Sequence, residues 1–184
     1  MPLIPATGNL LDSKAKGLVN PVNCIGVAGA GLALQFRNRW PVQVAEYTAF
    51  CKAGKMRPGV IHDALLPDGR RILSVPTKQH WRDTSRLEVI GLGLAGLKAY
   101  LKATGMKSVA LPPLGCGLGG LPKSQVAMLI WAWLDDSPAA IHLYGFDEIN
   151  WSRYARRDDQ GHGGTGVPRE PGPVPGGVDP GREG

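Results

Sequence analysis

Two kinds of apolar pattern alternate along most of this chain. Short runs of β-branched and other apolar residues, typical of buried strands, fall at residues 2–7, 17–23, 60–66, 71–75, 108–114 and 140–144. Apolar residues spaced three or four apart predict helices at residues 31–40, 42–53, 85–103 and 123–134. This alternation predicts an α/β fold: a single domain in which a mixed central sheet is sandwiched between helices in three layers.

Two local signals refine these elements. The sequence Pro67-Asp68-Gly69 lies between the third and fourth predicted strands and is typical of a hairpin turn. Ser85, followed three residues later by Glu88, predicts a capping box at the start of the third helix.

The composition changes near residue 155. Glycine and proline make up about half of residues 155–184, and large apolar side chains are almost absent. Such a segment cannot offset its ordering entropy by burial. We therefore expect a folded domain over residues 1–154 and a disordered tail over residues 155–184.

Composition and charge narrow the class of protein. A hydrophobic content of 43% fits a soluble globular domain, and no apolar run is long enough to span a membrane. The amino terminus lacks a signal-peptide pattern, and three widely spaced cysteines form no disulfide or zinc framework. A reducing cytoplasm is the expected location. The net charge of +6 suits an anionic ligand or nucleic acid without proving either.

The most informative stretch is a strand, a glycine-rich loop and a helix start over residues 17–36. Gly26, Gly29 and Gly31 follow the two asparagines Asn20 and Asn23. In this order the backbone N–H groups and the positive end of the helix dipole point at the loop. The pattern predicts a phosphate cradle, although turn glycines between a strand and a helix would look the same.

A second glycine-rich loop, residues 112–121, also follows a buried-type strand and precedes a helix. Two such loops at strand ends can face each other across a crevice, which suits a diphosphate with a sugar on each side. The alternative is a mobile loop around a buried cysteine. We interpret Cys116 as a small buried residue, since no histidine is placed to activate it.

A third cluster leaves the end of the fourth strand. Lys78 can act as a nucleophile when it is neutral, Trp81 can stack on a base, and Arg82 can pair with a phosphate. The alternative is a solvated lysine beside a core tryptophan. The chain contains no HExxH, GxSxG or Walker lysine pattern and no metal-ligand cluster.

These motifs together resemble a known family. The runs Gly8-Asn9-Leu10-Leu11, Leu18–Asn23, Gly29–Ala33 and Pro113–Gly117 resemble the macrodomain family of ADP-ribose binders. Residues 76–82 narrow the resemblance to the DarG-type branch of DNA ADP-ribosyl glycohydrolases, which is related to the human terminal ADP-ribose protein glycohydrolase. It covers about residues 8–144 in the family's order.

The resemblance implies a role for each matching residue. Lys78 would attack the anomeric carbon of the distal ribose, and His80, Trp81 and Arg82 would contact nucleic acid. Asn9 replaces the usual aspartate at the adenine amino group. The implied ADP-ribose-binding residues include the pair beside the distal ribose, the two loop walls and an adenine-stacking aromatic: Asn9, Asn20, Asn23, Gly29, Ala30, Gly31, Leu32, Ala33, Gly115, Cys116, Gly117, Leu118, Gly119, Gly120 and Phe146.

Two departures from the family qualify this reading. The human relative carries an aspartate in its second loop, where this chain has Gly119. From the composition after residue 155 we also expect no folded carboxyl-terminal domain like that of the antitoxin, which weakens an antitoxin role while leaving a toxin partner possible.

The leading prediction is a monomeric macrodomain hydrolase, without cofactor or metal, that removes mono-ADP-ribose from thymidine in single-stranded DNA. Hydrolysis of carboxylate-linked ADP-ribose on proteins is the close alternative. A reader that binds ADP-ribose without cleaving it, and a nucleic-acid-binding protein without ADP-ribose chemistry, stay open.

Overall fold

A computed structural model describes residues 2–155. Its strands are β1 (Leu3–Ala6), β2 (Gly17–Asn23), β3 (His62–Leu65), β4 (Arg71–Lys78), β5 (Ser108–Leu111) and β6 (Ala140–Tyr144). Its helices are α1 (Gly31–Arg39), α2 (Pro41–Lys52), α3 (Leu87–Thr104), α4 (Lys123–Leu134) and the short α5 (Ser152–Ala155). A 3-10 turn, Leu10–Asp12, follows β1.

The strands form one mixed sheet in the order β1-β6-β5-β2-β4-β3. All neighbours are parallel except β3, which runs antiparallel to β4. The predicted hairpin between them is confirmed: Gly69 adopts a φ of 84° and its amide donates to the Leu66 carbonyl oxygen at 3.0 Å. The carboxyl ends of the parallel strands therefore share one edge of the sheet, where ligands bind in such folds.

Helices cover both faces of the sheet. Adjacent residues of β2 point to opposite sides: Val19 belongs to the core cluster that contains Leu94 and Ile130, and Leu18 to the cluster that contains Phe36 and Tyr47. The first cluster lies under α3 and α4, and the second under α1 and α2. The central strand is buried on both faces, so the predicted three-layer α/β/α fold is confirmed.

Several element ends differ from the sequence prediction. β4 continues three residues beyond the predicted end and finishes at Lys78, and β5 ends at Leu111 rather than at residue 114. Neither the 3-10 turn nor α5 was predicted. Apart from its first residue, the tail predicted for residues 155–184 lies outside the described residues.

The predicted capping box is wrong. α3 begins at Leu87 with Arg86 as its N-cap, and no side chain caps it. Ser85 is instead buried, and its amide donates to the Gly119 carbonyl oxygen at 3.0 Å. Ser85 fits the capping pattern by sequence, but tertiary contact with the second glycine loop takes it out of the cap.

No helix in the described part of the chain is both long and apolar enough to cross a membrane.

Two glycines of α3 test how tightly this helix packs. A Cβ at Gly96 would collide with the backbone of Gly59, whereas the nearest atom to a Cβ at Gly91 is 3.7 Å away, on Trp133. Gly96→Ala should therefore lower the free energy of unfolding by about 1–3 kcal/mol through overpacking. Gly91→Ala should raise it by about 0.5–1 kcal/mol, because alanine favours the helix. Urea denaturation measures both, and equal effects would contradict this packing.

Candidate ligand-binding site

A cavity of about 660 Å³ opens at the carboxyl ends of the parallel strands. It lies between loop 1 (residues 24–30, after β2) and loop 2 (residues 112–122, after β5). Most of the residues predicted from sequence to bind a ligand are in its wall: Asn23, Gly29, Ala30, Gly31, Leu32, Ala33, Lys78, Trp81, Gly115, Cys116, Gly117, Leu118 and Gly119. The expected meeting of two glycine-rich loops across a crevice is thus present.

The remaining predicted residues lie outside the wall: Asn9, Asn20, His80, Arg82, Gly120 and Phe146. Asn9 caps the 3-10 turn, where its Oδ1 accepts from the Leu11 amide at 3.0 Å. The side-chain amide of Asn20 is fully buried and has no hydrogen-bond partner among the described residues. Neither side chain reaches the cavity.

Phe146 and Gly120 are placed by local packing. Phe146 is only 3% exposed and packs edge-on against Trp151, with ring centroids 5.4 Å apart. Gly120 forms a turn near the end of loop 2. It has a φ of 77°, and its amide donates to the Gly117 carbonyl oxygen at 3.0 Å. The structure therefore does not bring the Phe146 ring to the cavity.

The start of α1 supplies unpaired backbone donors to the cavity. Its N-cap residue, Ala30, offers no side-chain acceptor. The amides of Gly31, Leu32 and Ala33 precede the first intrahelical bond, which runs from the Leu34 amide to the Ala30 carbonyl oxygen at 3.2 Å. All three residues line the cavity. Free N–H groups and the positive end of the helix dipole together favour an anion here.

Asn23 organises loop 1. Its Oδ1 accepts from the amides of Ile25 at 3.1 Å and Val27 at 3.2 Å, and its Nδ2 donates to the Val27 carbonyl oxygen at 2.7 Å. One Nδ2 proton is left for a ligand, because an amide nitrogen carries two donors. Asn23 thus shapes the loop and lines the cavity at the same time.

Loop 2 is held close to α3 and to the start of α1. A Cβ at Gly119 would collide with Ser85 Oγ and the Gly115 carbonyl oxygen, and would lie 2.8 Å from Ser85 Cβ. The Leu118 side chain, 72% exposed, lies 3.8 Å from the position that a Cβ of Gly31 would take. Gly119 therefore has no room for a side chain, and Leu118 closes part of the rim between the two loops.

Lys78 ends β4 inside the cavity wall. Its Nζ donates to the carbonyl oxygens of Asp83 at 2.9 Å, Trp81 at 3.3 Å and Leu118 at 3.5 Å. An ammonium group has three protons, and three backbone acceptors match them. The Asp83 carboxylate fixes this turn by accepting from the His80 amide at 2.8 Å. The lysine is oriented by the backbone of two separate segments.

Three planar side chains stack at the mouth of the cavity. The Arg82 guanidinium carbon lies 4.5 Å from the centroid of the Trp81 ring, and the His80 ring lies 5.5 Å from the same ring. His80 Nδ1 accepts from the Arg82 amide at 3.2 Å, which leaves Nε2 as the donor of the neutral ring. Trp81 is 47% exposed. A planar base can extend such a stack, as cation–π and stacking contacts allow.

One charged wall residue was missed by sequence reasoning. Lys123, the first residue of α4, lines the cavity and pairs with Glu148 at 2.8 Å. A lysine directly after a glycine loop, at a helix start, was the available signal. Nearby, burial raises the pKa of the Cys116 thiol to about 11, with Lys123 opposing the shift and Glu148 adding to it. The raised pKa favours the protonated thiol at neutral pH. The prediction that Cys116 is a buried residue is wrong, because it is half-buried and lines the cavity.

A parallel sheet edge that opens between two glycine loops and a helix start defines an α/β domain with an anion-favouring cavity at the carboxyl ends of its strands. Comparison with known protein families identifies the family of this domain. The Macro domain family model matches residues 19–130, and the chain belongs to this family.

Relatives of this chain include DNA ADP-ribosyl glycohydrolases and the macrodomains of DarG proteins. DNA ADP-ribosyl glycohydrolases of Mycobacterium tuberculosis and Thermus aquaticus are 42% and 41% identical over 123 and 126 residues, which are 65% and 67% of this chain. The chain spans about a third of their length, 35% in each case. The macrodomain of M. tuberculosis DarG superposes with a TM-score of 0.73 at 37% identity, covering 77% of this chain and 96% of that one. The predicted resemblance to DarG macrodomains is confirmed.

A second solved structure is that of Thermosipho africanus DarTG in complex with ADP-ribose. It is 28% identical, has a TM-score of 0.73, and is matched over 82% of this chain and 44% of its own.

The crowding at Gly119 can be tested within loop 2 itself. Gly119→Ala should lower the free energy of unfolding by about 1–3 kcal/mol, because the new methyl group meets Ser85 and the Gly115 carbonyl. Gly117→Ala is the matched control, since a Cβ at Gly117 meets nothing within 4 Å. Chemical denaturation of the two variants measures the difference. A Gly119→Ala protein as stable as the Gly117→Ala protein would show that the loop has room for a side chain.

Proposed function

We propose that this macrodomain is an ADP-ribosyl glycohydrolase that removes mono-ADP-ribose from thymidine bases in single-stranded DNA. The observation that carries the proposal is the placement of Lys78. Its Nζ lies in the wall of the same cavity that the free amides of α1 enter. A primary amine beside a diphosphate cradle can reach the sugar that the diphosphate carries.

Lys78 acts as the nucleophile in the proposed reaction. The neutral Nζ attacks the anomeric carbon of the distal ribose, and the bond from that carbon to the base nitrogen breaks. The electron pair leaves with the base, which takes up the proton that the ammonium gave up. Water then attacks the same carbon, the carbon–Nζ bond breaks, and the amine is restored. One water is consumed, and ADP-ribose and the unmodified base are released.

Relatives support the substrate. Curated relatives are named DNA ADP-ribosyl glycohydrolases, and T. africanus DarTG was solved with ADP-ribose. A curated T. africanus relative, 32% identical, is named as a fusion of a DNA ADP-ribosyl transferase with a DNA ADP-ribosyl glycohydrolase. A transferase of that kind, which modifies the DNA, is the proposed partner of this chain.

The stack beside Lys78 supports a nucleobase rather than a protein side chain as the leaving group. Trp81 lines the cavity, and its ring already contacts His80 and Arg82. We assign His80, Trp81 and Arg82 to the base and flanking phosphate of the DNA, since a guanidinium can pair with a phosphate while it stacks.

A second candidate is a reader that binds ADP-ribose without cleaving it. No aspartate or glutamate of the described residues lines the cavity, and Gly119 leaves no room for one. No carboxylate in the cavity wall is then available to activate the water that would hydrolyse the lysine adduct. Turnover assays separate the two candidates directly.

Replacing Lys78 tests whether its amine acts as a nucleophile or only supplies a positive charge. Lys78→Ala should retain ADP-ribose binding, because the α1 amides are unchanged, and should lose hydrolysis of ADP-ribosylated DNA by about a thousandfold or more. Lys78→Arg is the matched control: it keeps the positive charge but has no nucleophilic amine, and should be equally inactive. ADP-ribose release from a modified thymidine oligonucleotide is the measurement. Full activity of Lys78→Arg would rule out the nucleophilic role.

Replacing Trp81 tests the base contact. Trp81→Ala keeps the backbone carbonyl that Lys78 uses and removes only the ring. We expect kcat/KM for DNA-linked ADP-ribose to fall by about fivefold to a hundredfold, the range of one lost base stack. Hydrolysis of carboxylate-linked ADP-ribose on a protein, measured in parallel, should change less. A similar loss on both substrates would mean that the ring serves the ADP-ribose rather than the DNA.

A further inference from the structure

Loop 1 is anchored from beneath by α2. The hydroxyl of Tyr47 donates to the Asn23 carbonyl oxygen at 2.7 Å and lies 3.3 Å from Asn23 Oδ1. The hydroxyl of Thr48 lies 3.0 Å from the Gly26 carbonyl oxygen and 3.1 Å from the Val44 carbonyl oxygen of its own helix, and its one proton is shared between these two acceptors. Two consecutive helical residues therefore hold the point where β2 ends and the loop begins.

The backbone of loop 1 packs closely against α2 at Gly26. Gly26 has a φ of 86°, and a Cβ there would lie 3.2 Å from Thr48 Cα and from Cys51 Cβ. Any side chain would push the loop away from α2. The glycine thus lets the loop rest directly on the helix.

Tyr47 itself does not reach the cavity. It is 1% exposed, belongs to the core cluster under α1 and α2, and is absent from the cavity wall. Burial, the largest cause, raises the pKa of its hydroxyl, so that it remains a donor at neutral pH. Its phenol group ends on the same Asn23 whose side chain binds the amides of Ile25 and Val27.

We propose that Tyr47 is a positioning residue for the ADP-ribose site, acting through Asn23 to fix the conformation of loop 1. The proposal rests on the proposed function. Without the hydroxyl, the Asn23 carbonyl oxygen loses the donor that lies 2.7 Å away, and loop 1 loses a fixed point at the strand residue that precedes it. A ligand must then order the loop as it binds, which costs affinity.

The effect should fall on binding rather than on chemistry. The three acceptors of Lys78 Nζ belong to residues 81, 83 and 118, none of which is in loop 1. Loss of loop order therefore weakens the hold on the diphosphate while leaving the lysine in place. KM should rise in step with the dissociation constant for ADP-ribose, and kcat should stay nearly constant.

Tyr47→Phe tests the proposal, with Tyr100→Phe as its matched control. Tyr100 is an α3 residue outside the cavity wall, and its hydroxyl likewise donates to an acceptor on another element, Asp63 Oδ2, at 3.0 Å. By calorimetry, Tyr47→Phe should bind ADP-ribose about threefold to tenfold more weakly, the scale of one hydrogen bond. Tyr100→Phe should bind it as the unaltered protein does, even if both variants lose similar stability.

The outcomes separate the proposal from the function on which it rests. Unchanged binding by Tyr47→Phe, equal weakening in both tyrosine variants, or a fall in kcat at constant KM would each overturn the role of Tyr47. Failure of the unaltered protein to bind ADP-ribose would instead overturn the proposed function. Should Tyr47→Phe not fold, Thr48→Val removes the second anchor of loop 1 with little change of shape. Its affinity for ADP-ribose should fall in the same range, and an unchanged affinity would overturn the anchoring of loop 1 by α2.

Discussion

The parallel pairing of β2 with β4 is the constraint on which the site depends. The register runs from Gly17 opposite Arg71 to Asn23 opposite Lys78. It shifts by one residue at the end: Val22 lies opposite Pro76, but the next residue, Asn23, lies opposite Lys78. Thr77 is the extra residue of this bulge, and a bulge re-aims the side chain that follows it. Without the bulge, Thr77 rather than Lys78 would lie opposite Asn23. One irregularity in one strand pair thus brings the amine next to the loop that holds the cradle.

Backbone groups, more than side chains, make up the rest of the site. The amides at the start of α1 face the cavity, and the carbonyl oxygens of three residues hold the Lys78 ammonium. Backbone can approach this closely only where side chains are missing, as at Gly26 and Gly119. The glycine-rich character of both loops is therefore a consequence of how the site is built. The same crowding explains why loop 2 carries no carboxylate.

Most of the fold could be predicted from hydrophobic periodicity, since both faces of the sheet are buried and the helices are amphipathic. The end of β4 could not be predicted in this way, because a proline such as Pro76 ordinarily ends a central strand. Here β3 pairs with β4 only up to Ser74, so Pro76 needs no donor on that side. Loop glycines and Lys78 were identified from motifs. The burial of Phe146 outside the cavity wall could not be predicted, because it depends on packing against Trp151, which lies beyond the last predicted strand.

The two lysines of the cavity differ in how their charge is balanced. Lys123 is paired with the carboxylate of Glu148, whereas the acceptors of Lys78 among the described residues are neutral carbonyl oxygens. The positive charge of Lys78 is thus oriented but not neutralised, and it adds to the helix dipole at the start of α1. In the proposed reaction this amine gives up its charge before it attacks the sugar. No aspartate or glutamate of the described residues lines the cavity to take that proton, so the proton has to pass to the leaving group or to water.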